Sequence, residues 1–80
     1  MNSKKQVGSA KYSAEYEAVI ELVAHKHWVA IYKDKKGAQN IRLVTTQDAW
    51  DYDVQVGLHL KVVARPNNKC KIIKIIQRPF

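Results

Sequence analysis

From residue 15 to residue 24 two sets of side chains alternate. Tyr16, Ala18, Ile20, Leu22 and Ala24 form one set, and Glu15, Glu17, Val19, Glu21 and Val23 the other. A period of two puts each set on one side of an extended chain, so the stretch predicts a β-strand. Its alanines, leucine and glutamates are also good helix formers, which leaves a helix as the competing form. His27–Lys33 predicts a second strand, with Trp28, Ala30 and Tyr32 on one side and Val29 and Ile31 on the other. Asp34-Lys35-Lys36-Gly37 predicts a hairpin turn in which Gly37 takes a positive φ. Asn40–Thr45 predicts a third strand, Ile41 and Leu43 alternating with Arg42 and Val44. Thr46-Gln47-Asp48-Ala49-Trp50 reads as one helical turn, capped by Thr46, with an acid in its first turn.

After Gly57 the alternation returns. Leu58, Leu60, Val62 and Ala64 are expected to face inward, and His59, Lys61, Val63 and Arg65 outward. Pro66-Asn67-Asn68-Lys69 predicts a turn. The last strand, Cys70–Arg78, contains Lys-Ile-Ile-Lys-Ile-Ile, whose period is closer to three than to two. That pattern requires either a β-bulge that shifts the register or burial on both faces. The predicted order is β-β-β-(short α)-β-β. Residues 1–12 are polar, without periodicity, and read as a flexible basic arm; residues 13–80 read as a single β-domain.

Composition narrows the picture. Eighty residues with 46% hydrophobic side chains suffice for one small core and argue against wholesale disorder. Cys70 is the one cysteine, so neither a disulfide framework nor a thiolate zinc cage is expected, as suits a reducing cytoplasm. No apolar run approaches the ~20 residues that span a bilayer, and Met1–Ser9 lacks the apolar stretch of a secretory signal. A cytoplasmic protein with no membrane partner is the expectation. Charge is more specific. Residues 1–53 hold eight basic and seven acidic side chains, whereas no acid follows Asp53 and six bases do: Lys61, Arg65, Lys69, Lys71, Lys74 and Arg78. Nearly all of the net charge of +7 therefore lies in the last two strands. A one-sign field on one structural unit attracts polyanions, and nucleic acid is the expected partner.

The element order is also the plan of the oligonucleotide-binding barrel, five strands with a helix between the third and fourth. Residues 17–33 (EAVIELVAHKHWVAIYK) resemble the first hairpin of S1-type domains and of bacterial translation initiation factor 1, with Trp28-Val29 at the aromatic-valine pair. Residues 54–78 resemble the family's final hairpin: Val54 precedes Gly57, alternating Leu58, Leu60 and Val62 follow, and a last strand ends in a base. Leu58 stands where the family usually has an acid, and residues 38–45 lack its Gly-x-x-His element. The resemblance implies an all-β barrel of oligonucleotide-binding type and a binding role for Trp28. An SH3-like barrel is the structural alternative.

A single-strand binder needs phosphate-binding cations and aromatic platforms. Trp28 and Tyr32 are the candidate platforms, with Lys33 and Arg42 beside them. They would point outward if Val29 and Ile31 fill the core, and the opposite setting stays open; Tyr32 is the one expected to be exposed. Lys61, Arg65, Lys69, Lys71, Lys74 and Arg78 would contact phosphates, and Lys35 and Lys36 at the hairpin tip would extend the track. The competing reading of these cations is a solvated edge that discourages strand-to-strand aggregation. Sequence preference would be weak, and single-stranded DNA or RNA is favoured over duplex.

Other chemistry is thin. His25 and His27 have no third ligand, so no metal is expected, and no cofactor. Cys70, between Lys69 and Lys71, would be either a thiol of lowered pKa or a small buried hydrophobe. Asp48, Asp51 and Asp53 surround Trp50 and Tyr52. They form either a protein-docking surface or a capped turn whose Trp50 closes the barrel end. No phosphate loop, paired carboxylates or nucleophile–base pair is present, so the chain is not expected to be an enzyme. The rival functions are a protein-interaction module docking through Trp50/Tyr52 and a homodimer joined along Cys70–Gln77.

Overall fold

The computed structural model describes residues 14–24 and 26–80, so the N-terminal arm and His25 lie outside the described residues. Five strands, β1 (Glu15–Val23), β2 (His27–Lys33), β3 (Gln39–Val44), β4 (His59–Arg65) and β5 (Lys69–Gln77), form a closed barrel in the order β1-β2-β3-β5-β4. One helix, α1 (Thr46–Asp51), joins β3 to β4. This is the oligonucleotide-binding plan that the element order predicts. All neighbours pair antiparallel except β3 and β5, which close the barrel in parallel through Leu43↔Lys69 and Val44↔Cys70.

The turns follow from local chemistry. Asp34 organises the β2–β3 hairpin: its Oδ1 accepts from the backbone N–H of Lys36 and Ala38, and its Oδ2 from Asn40. Those bonds, led by that of Ala38, hold its carboxyl below the usual carboxylate range. Gly37 sits at φ +84°, as expected. Between β4 and β5, Asn67 and Asn68 both take positive φ (64° and 61°), the mark of a tight turn that asparagine tolerates and β-branched residues do not. The cap of α1 is Thr45 rather than Thr46, its hydroxyl accepting from the Asp48 N–H.

Alternation is kept where it was legible. Ala18, Ile20, Ala30, Leu58, Leu60 and Val62 face the core. β5 obeys a different rule. Its pairing with β4 skips Ile73 and Ile76, so two bulges interrupt the strand. Each bulge resets the parity by one residue. Cys70, Ile72 and Ile75 then face inward, while Lys69, Lys71, Lys74 and Gln77 align with the outer residues of β4. The period of three is what two bulges in one strand require. Val29 and Val63 are also buried but stand apart from the core cluster. Each is covered by cross-strand neighbours on the outer face: Glu21 and Leu43 beside Val29, and Glu15 and Lys71 beside Val63.

Candidate nucleic-acid interface

Register places the cations of β4 and β5 on one ladder. Arg65 lies opposite Lys69, Val63 opposite Lys71, and Lys61 opposite Lys74. Neither strand holds an acid. On the far side of β4, however, the barrel lays down β1. Glu17 reaches His59 at 3.2 Å, an ion pair when that histidine is protonated, and Glu15 reaches Lys61 at 3.9 Å. The one-sign field expected from the sequence is therefore bordered by acids that lie about 45 residues earlier in the chain. Lys61 is partly neutralised, and Arg65, Lys69, Lys71 and Lys74 remain as the basic run. At its upper end a recess of about 430 Å³ opens under the β4–β5 turn, lined by Thr45, Gln47, Asp48, Arg65, Lys69 and Lys71 among others.

The hairpin lysines are a separate group. Lys33, Lys35 and Lys36 are exposed at the β2–β3 tip, but β1, with its glutamates, stands between β2 and β4 in the barrel. They do not extend the ladder along that route. Two arginines have structural duties. Arg42 pairs opposite inward-facing Ala30 and donates to the Arg65 carbonyl at 2.9 Å, so it does not flank an outer aromatic face. Arg78 donates to the carbonyls of Tyr52 and Asp53 at 2.9 and 3.1 Å and ties the C-terminal segment to the α1–β4 connection.

The aromatic residues require the largest correction. Tyr32 is buried (4% exposed) and stacks on Tyr16, ring centroids 4.7 Å apart, because β2 turns Trp28, Ala30 and Tyr32 inward. Five short strands enclose a space that Ala18 and Ala30 cannot fill, and the two tyrosines supply the volume. Trp28, on the same face, is half-buried against the core. Outside, Val19, Ile31 and Ile41 form an aliphatic row across β1, β2 and β3, with Ile41 54% exposed. The face where stacking platforms were expected is thus aliphatic.

Trp50 moves the other way. It does not close the barrel end; it is 83% exposed on α1, while Ala49 and Tyr52 pack against the core. With Trp28 it lines a groove of about 300 Å³, together with Lys26, His27, Leu43, Val44, Thr46 and Ala49. Sequence reasoning missed Lys26 and did not join Trp50 to Trp28. The residues lie far apart in the chain, and only the docking of α1 beside the β1–β2 turn brings them together.

Asp48 stands apart from Asp51 and Asp53. It is buried, and its Oδ2 accepts the Ile72 N–H at 2.9 Å beside the Ile73 bulge. Cys70 is 1% exposed, its Sγ donating to the Leu43 carbonyl at 3.5 Å. Burial, reinforced by the Asp48 charge, pushes its thiol up to about 11, which removes the activated-thiol reading. Among the described residues no three potential ligands cluster as a metal site, and no helix is long and apolar enough to cross a membrane. No family model, no curated protein and no solved structure matches the chain.

Proposed function

We propose that the protein is a non-catalytic nucleic-acid-binding domain that holds the phosphate backbone on its β4–β5 face with low sequence specificity. The observation that carries this reading is the ladder of Arg65, Lys69, Lys71 and Lys74 on two paired strands without an acid. Self-repulsion among these groups disfavours their close spacing, and a polyanion would convert that cost into attraction. The Ile73 bulge of β5 bears on the same point, since it keeps Lys71 and Lys74 on the outer face despite an odd spacing. The recess under the β4–β5 turn gives a phosphate a concave seat between Arg65, Lys69 and Lys71, three cations against the one acid of its wall, Asp48, whose carboxylate already accepts the Ile72 N–H. In the barrel plan it shares, the loop between strands four and five borders the oligonucleotide path. Phosphate contacts position a strand without reading it, so little base preference is expected from this face alone.

The test is a titration with single-stranded DNA, single-stranded RNA and duplex at two salt concentrations, comparing wild type with a Lys69→Gln/Lys71→Gln/Lys74→Gln variant. Loss of three phosphate contacts should lower the salt slope by about two units for a single strand. Unchanged affinity and slope would sink the proposal. Binding to none of the three at low salt would leave the rival, a protein-docking module, which the aliphatic row of Val19, Ile31 and Ile41 favours.

A further inference from the structure

The groove between the β1–β2 turn and α1 has a composition unlike the rest of the surface. Two indoles line it, Trp50 almost wholly exposed and Trp28 half-buried. Lys26 and His27 stand at its rim, and no acid is among its lining residues. It also adjoins the upper end of the basic ladder. Leu43 and Val44 in the groove wall pair with Lys69 and Cys70 in the wall of the recess under the β4–β5 turn. The two concavities share the β3–α1 junction, with Thr46 lining one and Thr45 and Gln47 the other. A chain of phosphates leaving the Arg65–Lys69–Lys71 recess would next meet a cavity with aromatic walls and a cationic rim.

Building on the nucleic-acid reading, we propose that this groove seats one unpaired base of a single strand, with Trp50 as the stacking platform, Trp28 as the floor and Lys26 on the adjoining phosphate. A volume of about 300 Å³ is at the lower end for ligand pockets and suits a single base rather than a run of them. Charge complementarity selects the occupant: a planar apolar group that carries its own negative charge fits two indoles and a lysine. An aromatic peptide side chain would satisfy the indoles and leave Lys26 without a counter-charge. The groove therefore supplies what the aliphatic β1–β2–β3 face does not, a reason to prefer a single strand over duplex, since stacked and paired bases cannot enter it.

The test compares wild type, Trp50→Ala and Lys71→Gln/Lys74→Gln on a thymidine oligonucleotide and on an abasic strand of equal length. Trp50 is so exposed that its removal should leave the fold intact, and circular dichroism checks that. The expected result is a loss of about 10- to 100-fold for Trp50→Ala on the base-bearing strand and none on the abasic strand. The lysine variant should weaken both alike. If Trp50→Ala binds both strands as wild type does while the lysine variant is weakened, the base seat is wrong and the phosphate reading stands. Equal losses of Trp50→Ala on the two strands would overturn it as well. So would self-association by sedimentation that vanishes in Trp50→Ala with oligonucleotide affinity unchanged, which would assign the groove to a second copy. Absence of binding to either strand by wild type would remove both proposals together.

Discussion

At the scale of single residues, Asp48 shows how a role changes between chain and fold. In the sequence it belongs to an acidic group around Trp50; in the fold its carboxylate is the acceptor for a buried backbone N–H on β5. That N–H lies beyond Val44↔Cys70, where the pairing of β3 with β5 ends, so no β3 partner stands opposite it to replace the carboxylate. Asp48→Ala should cost about 2–3 kcal/mol, the range for a hydrogen bond to a charged group together with an orphaned buried donor. Asp48→Asn keeps an acceptor and should cost less. Urea midpoints check this, and equal midpoints for wild type and Asp48→Ala would show that the bond contributes nothing. Tyr32 makes the opposite passage, from expected platform to core. Its parity with Trp28 and Ala30 was legible, but which parity faces inward depends on the volume that the other four strands leave to fill.

At the scale of elements, the first four strands were readable because alternation maps directly onto the two sides of a pleated chain. In β5 the same mapping fails, and the repeat of three is resolved by bulges that neither composition nor propensity locates. Ile72 and Ile73 are adjacent, identical and on opposite sides of that break, at 1% and 37% exposure. Ile72→Ala should destabilise by about 2–5 kcal/mol and Ile73→Ala by less than about 1 kcal/mol. Thermal midpoints of the two variants measure the difference directly. Similar losses at both positions would mean that the strand runs in another register. α1 is a connector by length, and its Ala49, with Tyr52 that caps its C-terminus, packs on the barrel while Trp50 is left out in solvent. A six-residue helix has too few positions to show an amphipathic period, so the sequence had no signal for which aromatic would be buried.

At the scale of the whole molecule, charge is the dominant asymmetry. Barrel closure puts the acidic outer face of β1 against β4, which trims the field of the last two strands without abolishing it. Both contacts across that seam, Glu15 with Lys61 and Glu17 with His59, are partly exposed to solvent and worth little. Self-repulsion along β4 and β5 should therefore outweigh them. Raising salt from 0.01 M to 0.15 M shortens the screening length from about 30 Å to about 8 Å, and the thermal midpoint should rise by about 2–4 °C, roughly 0.5 kcal/mol for a domain of this size. Calorimetry without nucleic acid checks the sign. A falling midpoint would show that the seam contacts dominate and that the ladder is less strained than its sequence suggests.

Local order determined most of what the sequence alone could settle: five strands, the short helix, the hairpin turns at Asp34–Gly37 and Pro66–Lys69, and the basic character of the C-terminal pair. Each depends on neighbours a few positions apart, through side-chain parity, turn geometry or the count of charges. Tertiary structure decided the rest. It set which face of β2 fills the barrel, where β5 breaks step, which acid meets Ile72, and how near β1's glutamates come to Lys61. It also brought Lys26, Trp28 and Trp50 to one groove. Those outcomes depend on closure of the sheet, and the parallel pairing of β3 with β5 joins segments about 26 residues apart that share no local pattern.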